Sequence, residues 1–210
     1  MPVNSDASVR ATRQMYIDCI LEHQLENGGW SISLSSANNT ADTDITAMAL
    51  QALSKYKDQP AVSATIDKAL DYLSSKQGTD GGIIGFNGTS AETSAQVLVA
   101  LCELDISPND PRFTKDGITV LDHMLTYYRK NQGFIHSDSD SAINIMSTEQ
   151  CFYALIASER YLHGSNSLYN MNDAKTITVP TTETGLPNKH PDISVNPVIL
   201  PGKTFSDISG

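Results

Sequence analysis

The chain repeats itself three times, and that periodicity restricts its fold more than any other feature. Glycine turns recur in "QLENGGW" (24–30), "QGTDGGI" (77–83) and "NQGFI" (131–135), where Gly29, Gly82 and Gly133 stand 53 and 51 residues apart. A variable loop follows each turn, and then a carboxylate opens an apolar segment with helical spacing. These segments are "DTDITAMALQAL" (42–53), "SAETSAQVLVAL" (90–101) and "STEQCFYALIAS" (147–158). In that register Asp44, Glu92 and Glu149 coincide, and so do Thr46, Ser94 and Cys151.

An amphipathic segment precedes each turn. Val9, Tyr16, Ile17, Ile20 and Leu21 share a face in the first, and Val62, Ile66, Ala69, Leu70 and Leu73 in the second. Leu121, Met124, Leu125 and Tyr128 continue the theme in the third. Pro60 suits the first position of a helix, where a missing N–H costs nothing. The second helix of each unit is apolar on more sides, as "AQVLVALCEL" (95–104) shows, which predicts an inner, more buried layer. Each unit is thus an outer helix, a glycine turn, a loop and an inner helix. No β-hairpin or βαβ signature competes. The expected fold class is therefore all-α, with α/α-hairpin repeats that must stack because one unit cannot bury its own faces.

Composition narrows the function. A chain of 210 residues that is 40% hydrophobic can bury one domain core. The formal charge of -10 excludes nucleic acid as a partner, since phosphate binding needs clustered Lys and Arg. No apolar run approaches the roughly 20 residues that span a bilayer. Cys19, Cys102 and Cys151 are too few and too widely spaced for a disulfide framework or a zinc knuckle, and read as small buried apolar residues. No metal and no cofactor is expected. The helical periodicity ends near His163, and 164–204 reads as a Thr/Pro/Asn-rich linker.

The succession of "NGGW", a loop and "DTDITAMALQAL" resembles the prenyltransferase and squalene-cyclase (terpenoid cyclase-like) repeat, over roughly 8–163. The resemblance implies half, or part, of an α/α toroid with an irregular C-terminal tail. Class II terpenoid cyclases carry an Asp-x-Asp-Asp-Thr-Ala element after such a turn. Asp44 falls on that family's proton-donating aspartate and Asp42 on its first member, while Ile45 replaces the third aspartate. Prenyltransferases hold zinc with an Asp-x-Cys pair and a distant His. Glu149 and Cys151 approximate that pair, but no His follows in a helical context. The family also includes cobalamin carriers, which bind without catalysis. "FSDISG" (205–210) is similar to the opening of an S-layer homology module, which implies a secreted, cell wall-attached parent.

Two readings of the carboxylates remain open here. Asp42 and Asp44 are either catalytic acids or an N-cap and its first-turn companion. "TSAE" (89–92) and "STEQ" (147–150) match the capping-box pattern, which favours the structural role. Trp30 is either a core wedge or a stacking surface for a ligand. Glu92, Glu149 and His136 lie with Trp30 toward the same end of the units and form the candidate ligand-binding rim. The expected function is a non-catalytic ligand- or partner-binding module of an extracellular bacterial surface protein, its small-molecule or protein partner unnamed. An open side would be closed by a second copy, by upstream residues or by the tail folding back. The alternative is an enzyme half that uses Asp44 as general acid on an isoprenoid.

Overall fold

The computed structural model describes residues 11–33 and 39–174. Among the described residues six α-helices lie in two layers. The outer helices are α1 (Arg13–Glu22), α3 (Pro60–Ser75) and α5 (Val120–Thr126), and the inner ones are α2 (Thr43–Leu53), α4 (Ala91–Glu103) and α6 (Ile145–Leu162). Each inner helix begins at a short polar side chain that accepts a backbone N–H three residues on. Asp42 accepts from Ile45, Ser90 from Thr93 and Asn144 from Ser147, at 3.0–3.1 Å. Pro60 stands at the start of α3, as its fixed φ and missing N–H favour.

Helix α4 is the centre of the molecule. It packs against α2, α5 and α6, and every residue from Thr93 to Glu103 is buried. The all-round apolar character of "AQVLVALCEL" is what makes this position available to it. The three inner helices run parallel. Glu92 and Ser147 meet where α4 and α6 begin, and Cys102 and Ser158 meet where they end.

The expected all-α array, half of a toroid, is not what the chain builds. About 51% of the described residues are helical and about 10% are extended, in three small antiparallel sheets. β1 (Ile84–Gly85) pairs with β2 (Gly88–Thr89), β3 (Thr114–Lys115) with β4 (Ile118–Thr119), and β5 (Tyr128–Arg129) with β6 (Gly133–Phe134). The β3–β4 turn carries a signal that the helical reading passed over. Asp116 and Gly117 have φ of 50° and 81°, the pair of positive angles that a two-residue hairpin turn requires.

This hairpin also shortens the third outer helix. Residues 107–119 run beside the end of α3, where Ser74 Oγ donates to Arg112 O (2.7 Å) and Gln77 Nε2 to Phe113 O (2.9 Å). Only seven residues are left for α5, and Tyr128 belongs to β5 instead. A capping box lies here. Thr119 and Asp122 bond reciprocally, whereas "TSAE" and "STEQ" do not form boxes because Ser90 and Asn144 are the caps.

The third repeat also sits in a different register from the one its sequence suggests. Trp30 N–H donates to Thr46 Oγ1 (3.0 Å), and Asp42 N–H donates to Trp30 O (2.8 Å). The same clamp recurs between Phe134 and Thr148 (2.9 Å) and between Asn144 and Phe134 (2.9 Å). Asp42, Ser90 and Asn144 are therefore equivalent, as are Thr46, Ser94 and Thr148, whose hydroxyls each donate to the cap carbonyl. Met146, not Glu149, takes the place of Asp44 and Glu92, and Glu149 is displaced by about one helical turn. The clamp overrides the better-looking cap at Ser147, because two backbone groups of the turn find partners only in this register.

The clamp is directly testable. Thr46→Val or Thr148→Val leaves a turn N–H without its acceptor and should lower stability by about 1–3 kcal/mol. The Ser94 hydroxyl only donates to Ser90 O, so Ser94→Ala should cost less. Equal losses for all three in urea melts would contradict the clamp, which only Thr46 and Thr148 form.

Candidate functional site

The beginnings of the inner helices and the turns beside them bring most of the candidate residues together. Glu92 is the hub. It lies in the first turn of α4 with its side chain 12% exposed, and both of its oxygens are engaged. Ser147 Oγ donates to Glu92 Oε1 (2.6 Å), and His136 Nδ1–H donates to Glu92 Oε2 (2.8 Å). His136 O also accepts from Ala91 N–H (2.9 Å), so the loop after β6 is bonded to α4 twice. Thr43 Oγ1 ties α2 to the first hairpin through Ile84 O (2.8 Å).

Serine, glutamate and histidine in contact invite comparison with a nucleophilic triad, but the order is wrong for one. The hydroxyl is bonded to the carboxylate instead of the imidazole, and Ser147 is fully buried. A serine nucleophile needs an adjacent base to take its proton and an open path to substrate. This arrangement is instead a tie between α4, α6 and the third turn, with one edge of the His136 ring left toward solvent.

Asp42 and Asp44 differ in role. Asp42 is the N-cap of α2, its Oδ1 accepting from Ile45 N–H at 3.0 Å. Asp44 stands in the first turn, where the helix dipole favours a negative charge. Its Oδ1 is buried without a hydrogen-bond partner. Burial raises the Asp44 pKa above the ordinary value, and the Thr93 hydroxyl offsets part of this. The charges of Asp42 and Glu92 push it further up, and His136 draws it down.

Trp30 does not belong to the exposed rim. It is 5% exposed, and its indole N–H donates to Ile20 O (2.7 Å), so it joins the outer helix to the turn as a core residue. Glu149 is exposed, one turn further along α6, and is not drawn into the Glu92 cluster. Cys151 and Cys102 are buried, which pushes both thiols up to about 12 and leaves them protonated. Cys151 faces Ala91 O across the α4–α6 contact. Among the described residues no group of three His, Cys, Asp or Glu side chains is placed to hold a metal ion, and no helix is long and apolar enough to cross a membrane.

The chain matches no family model and no curated protein sequence.

Three features of this end escaped the sequence reading. Ser147 looked like a cap and is a ligand of Glu92. Thr93 carried no motif, yet it lies beside Asp44. Ile145 and Met146, read as loop, open α6 as exposed apolar residues. A cavity of about 330 Å³ lies at the opposite end of the inner helices, lined by Cys102, Asp105, Ala157, Tyr161 and the chain after Gly164. None of the rim carboxylates opens into it.

Asp44 has a definite pH signature. Because its folded-state pKa is raised from 3.8, its ionisation costs the folded protein more than the unfolded chain. Stability from this group is full below the ordinary carboxylate range and is lost as pH rises through the folded value. Asp44→Asn should therefore stabilise the protein at pH 7 by about 1 kcal/mol and leave it little changed at pH 3. A variant destabilised equally at both pH values in thermal melts would contradict the assignment.

Proposed function

We propose that this chain is a non-catalytic binding module of a secreted bacterial cell-surface protein, with the beginnings of its inner helices as the contact rim. The observation that carries this reading is a set of large apolar side chains left in solvent on the elements around the carboxylates. Phe86 is 87% exposed at the tip of the β1–β2 hairpin, and Ile145 is 86% exposed at the first position of α6. Ile84 and Met146 stand out beside them. Large apolar side chains exposed on the hairpin and at the start of α6 are the kind of surface that meets a partner. Glu149, exposed on the second turn of α6, favours a partner that offers a cationic group among its apolar ones.

The secreted setting rests on sequence alone. It draws on the Thr/Pro-rich stretch 176–202 and on the S-layer-like "FSDISG", both outside the described residues. A second reading, a cyclase-like enzyme using Asp44 as general acid, is favoured by the buried oxygen and raised pKa of that residue. Three facts weigh against it. Asp42 is spent as a cap, Ile45 stands where a further aspartate would support the acid, and the 330 Å³ cavity lies at the other end.

A photo-crosslinker separates the two. Phe86→p-benzoylphenylalanine, exposed to intact cells of the source organism, should give one dominant adduct that competes away with unlabelled protein. The same group at Asp67, on outer helix α3, should give none. Indistinguishable adducts from both positions would remove the rim from the proposal. Turnover of squalene or a prenyl diphosphate that disappears in Asp44→Asn would replace it with the enzyme reading.

A further inference from the structure

Beyond α6 the chain turns back on itself and forms a small hook. Gly164 has φ of 63°, and Ser165 N–H donates to Arg160 O (2.9 Å). Arg160 pairs with Asp173, its Nε donates to Asn166 O (2.7 Å), and Asn166 N–H donates to Asp173 Oδ2 (3.0 Å). These bonds hold the root of the hook to α6 without help from its tip. The tip, Leu168–Tyr169, crosses to the far side and rests on the inner helices. Leu168 packs against the core.

Tyr169 is bound there through all of its polar groups. Its N–H donates to Glu103 Oε1 (3.1 Å), and its carbonyl accepts from Lys55 Nζ (3.1 Å). Its hydroxyl donates to Gln51 Oε1 (2.7 Å). Gln51 is oriented for this in advance. Its Nε2 is fixed by Gln96 O (3.0 Å) and Gln96 Oε1 (2.9 Å), which leaves Oε1 as an acceptor.

Glu103 is the residue that packing alone does not explain. It is 6% exposed in the last turn of α4, where burial and the helix dipole both disfavour a negative charge. Lys57 lies at the same helix end but is engaged by Asp105 and Leu104 O. A carboxylate in such a place is costly unless a donor is brought to it, and the donor here is the backbone N–H of the hook. Tyr169 nevertheless remains 49% exposed, seated on the surface of the cleft and not sealed into the core.

We propose that the cleft formed by Gln51, Lys55 and Glu103 is a peptide-recognition site, occupied by the chain's own Leu168–Tyr169, which accepts a tyrosine-bearing segment of another chain once that occupant is withdrawn. Glu103 and Lys55 read the backbone N–H and C=O of one residue, and Gln51 reads a phenolic hydroxyl at its side-chain end. The site stands apart from the carboxylate rim, and neither proposal depends on the other.

The test uses the full chain with its hook tip vacated, Leu168→Ser/Tyr169→Ala, which keeps the Arg160–Asp173 root. A fluorescent capped peptide of residues 166–171 is titrated by anisotropy. It should bind the variant saturably and bind the unmodified chain at least about tenfold more weakly, because the tethered tip competes. Adding Glu103→Gln, or replacing the peptide's tyrosine with phenylalanine, should weaken binding by about tenfold. Two results would overturn the proposal: no saturable binding to the folded variant up to about 1 mM peptide, or equal binding to variant and unmodified chain. If melting curves show the double variant unfolded, Tyr169→Ala alone, which keeps Leu168 packed, is titrated with the same two outcomes.

Discussion

Everything in this molecule is arranged around a helix with almost no solvent face. From Thr93 to Glu103, α4 is enclosed by α2, α5, α6 and the hook, so its neighbours are fixed by what it must hide. A helix apolar all round is stable only inside such a cage, since each buried Leu or Val contributes about 1.5–3 kcal/mol that exposure would forfeit. The flanking repeats supply the walls. Polar residues survive on α4 where a partner satisfies them: Ser94 by Ser90 O of its own cap, Gln96 and Glu103 by Tyr153 and Tyr169.

The parallel course of the inner helices sets the electrostatics of the rim. Their beginnings lie side by side, so unpaired N–H groups and positive dipole ends collect along one edge. Carboxylates there have a purely structural use, which accounts for Asp42 as a cap and Glu92 as a tie without chemistry, while burial at Asp44 outweighs the dipole. The consequence is that acidity at this edge is weak grounds for catalysis. What needs another explanation is the apolar material beside it, because Phe86 and Ile145 gain nothing from the dipoles.

The repeat, the layering and the buried character of α4 were legible from the sequence, since each follows from periodicity that a helix must obey. Asp42 as a cap was legible too, because a short acceptor before an apolar run has few other uses. The hairpins were not read, although "KDGI" carries the Asp-Gly turn; a two-residue strand shows no alternation to detect. The third register failed at Ser147 for a different reason. Sequence similarity placed it at a helix start, but the partners of the Phe134 backbone decide where α6 begins, and those lie ten or more residues away. Trp30 was ambiguous until its indole N–H was seen on Ile20. The glutamines carried no motif, since their meaning lies wholly in which helices they join.

Those glutamines form a line with a direction. The Tyr169 hydroxyl donates to Gln51, Gln51 donates to Gln96, and Gln96 donates to Gln150 and Tyr153. One carboxamide comes from each inner helix, and every bond in the series points the same way. Each amide polarises the next, and no member can be turned over without leaving two donors or two acceptors face to face. The row therefore behaves as one object spanning the protein: what touches Tyr169 at one end is felt as a preferred orientation of Gln150 at the other.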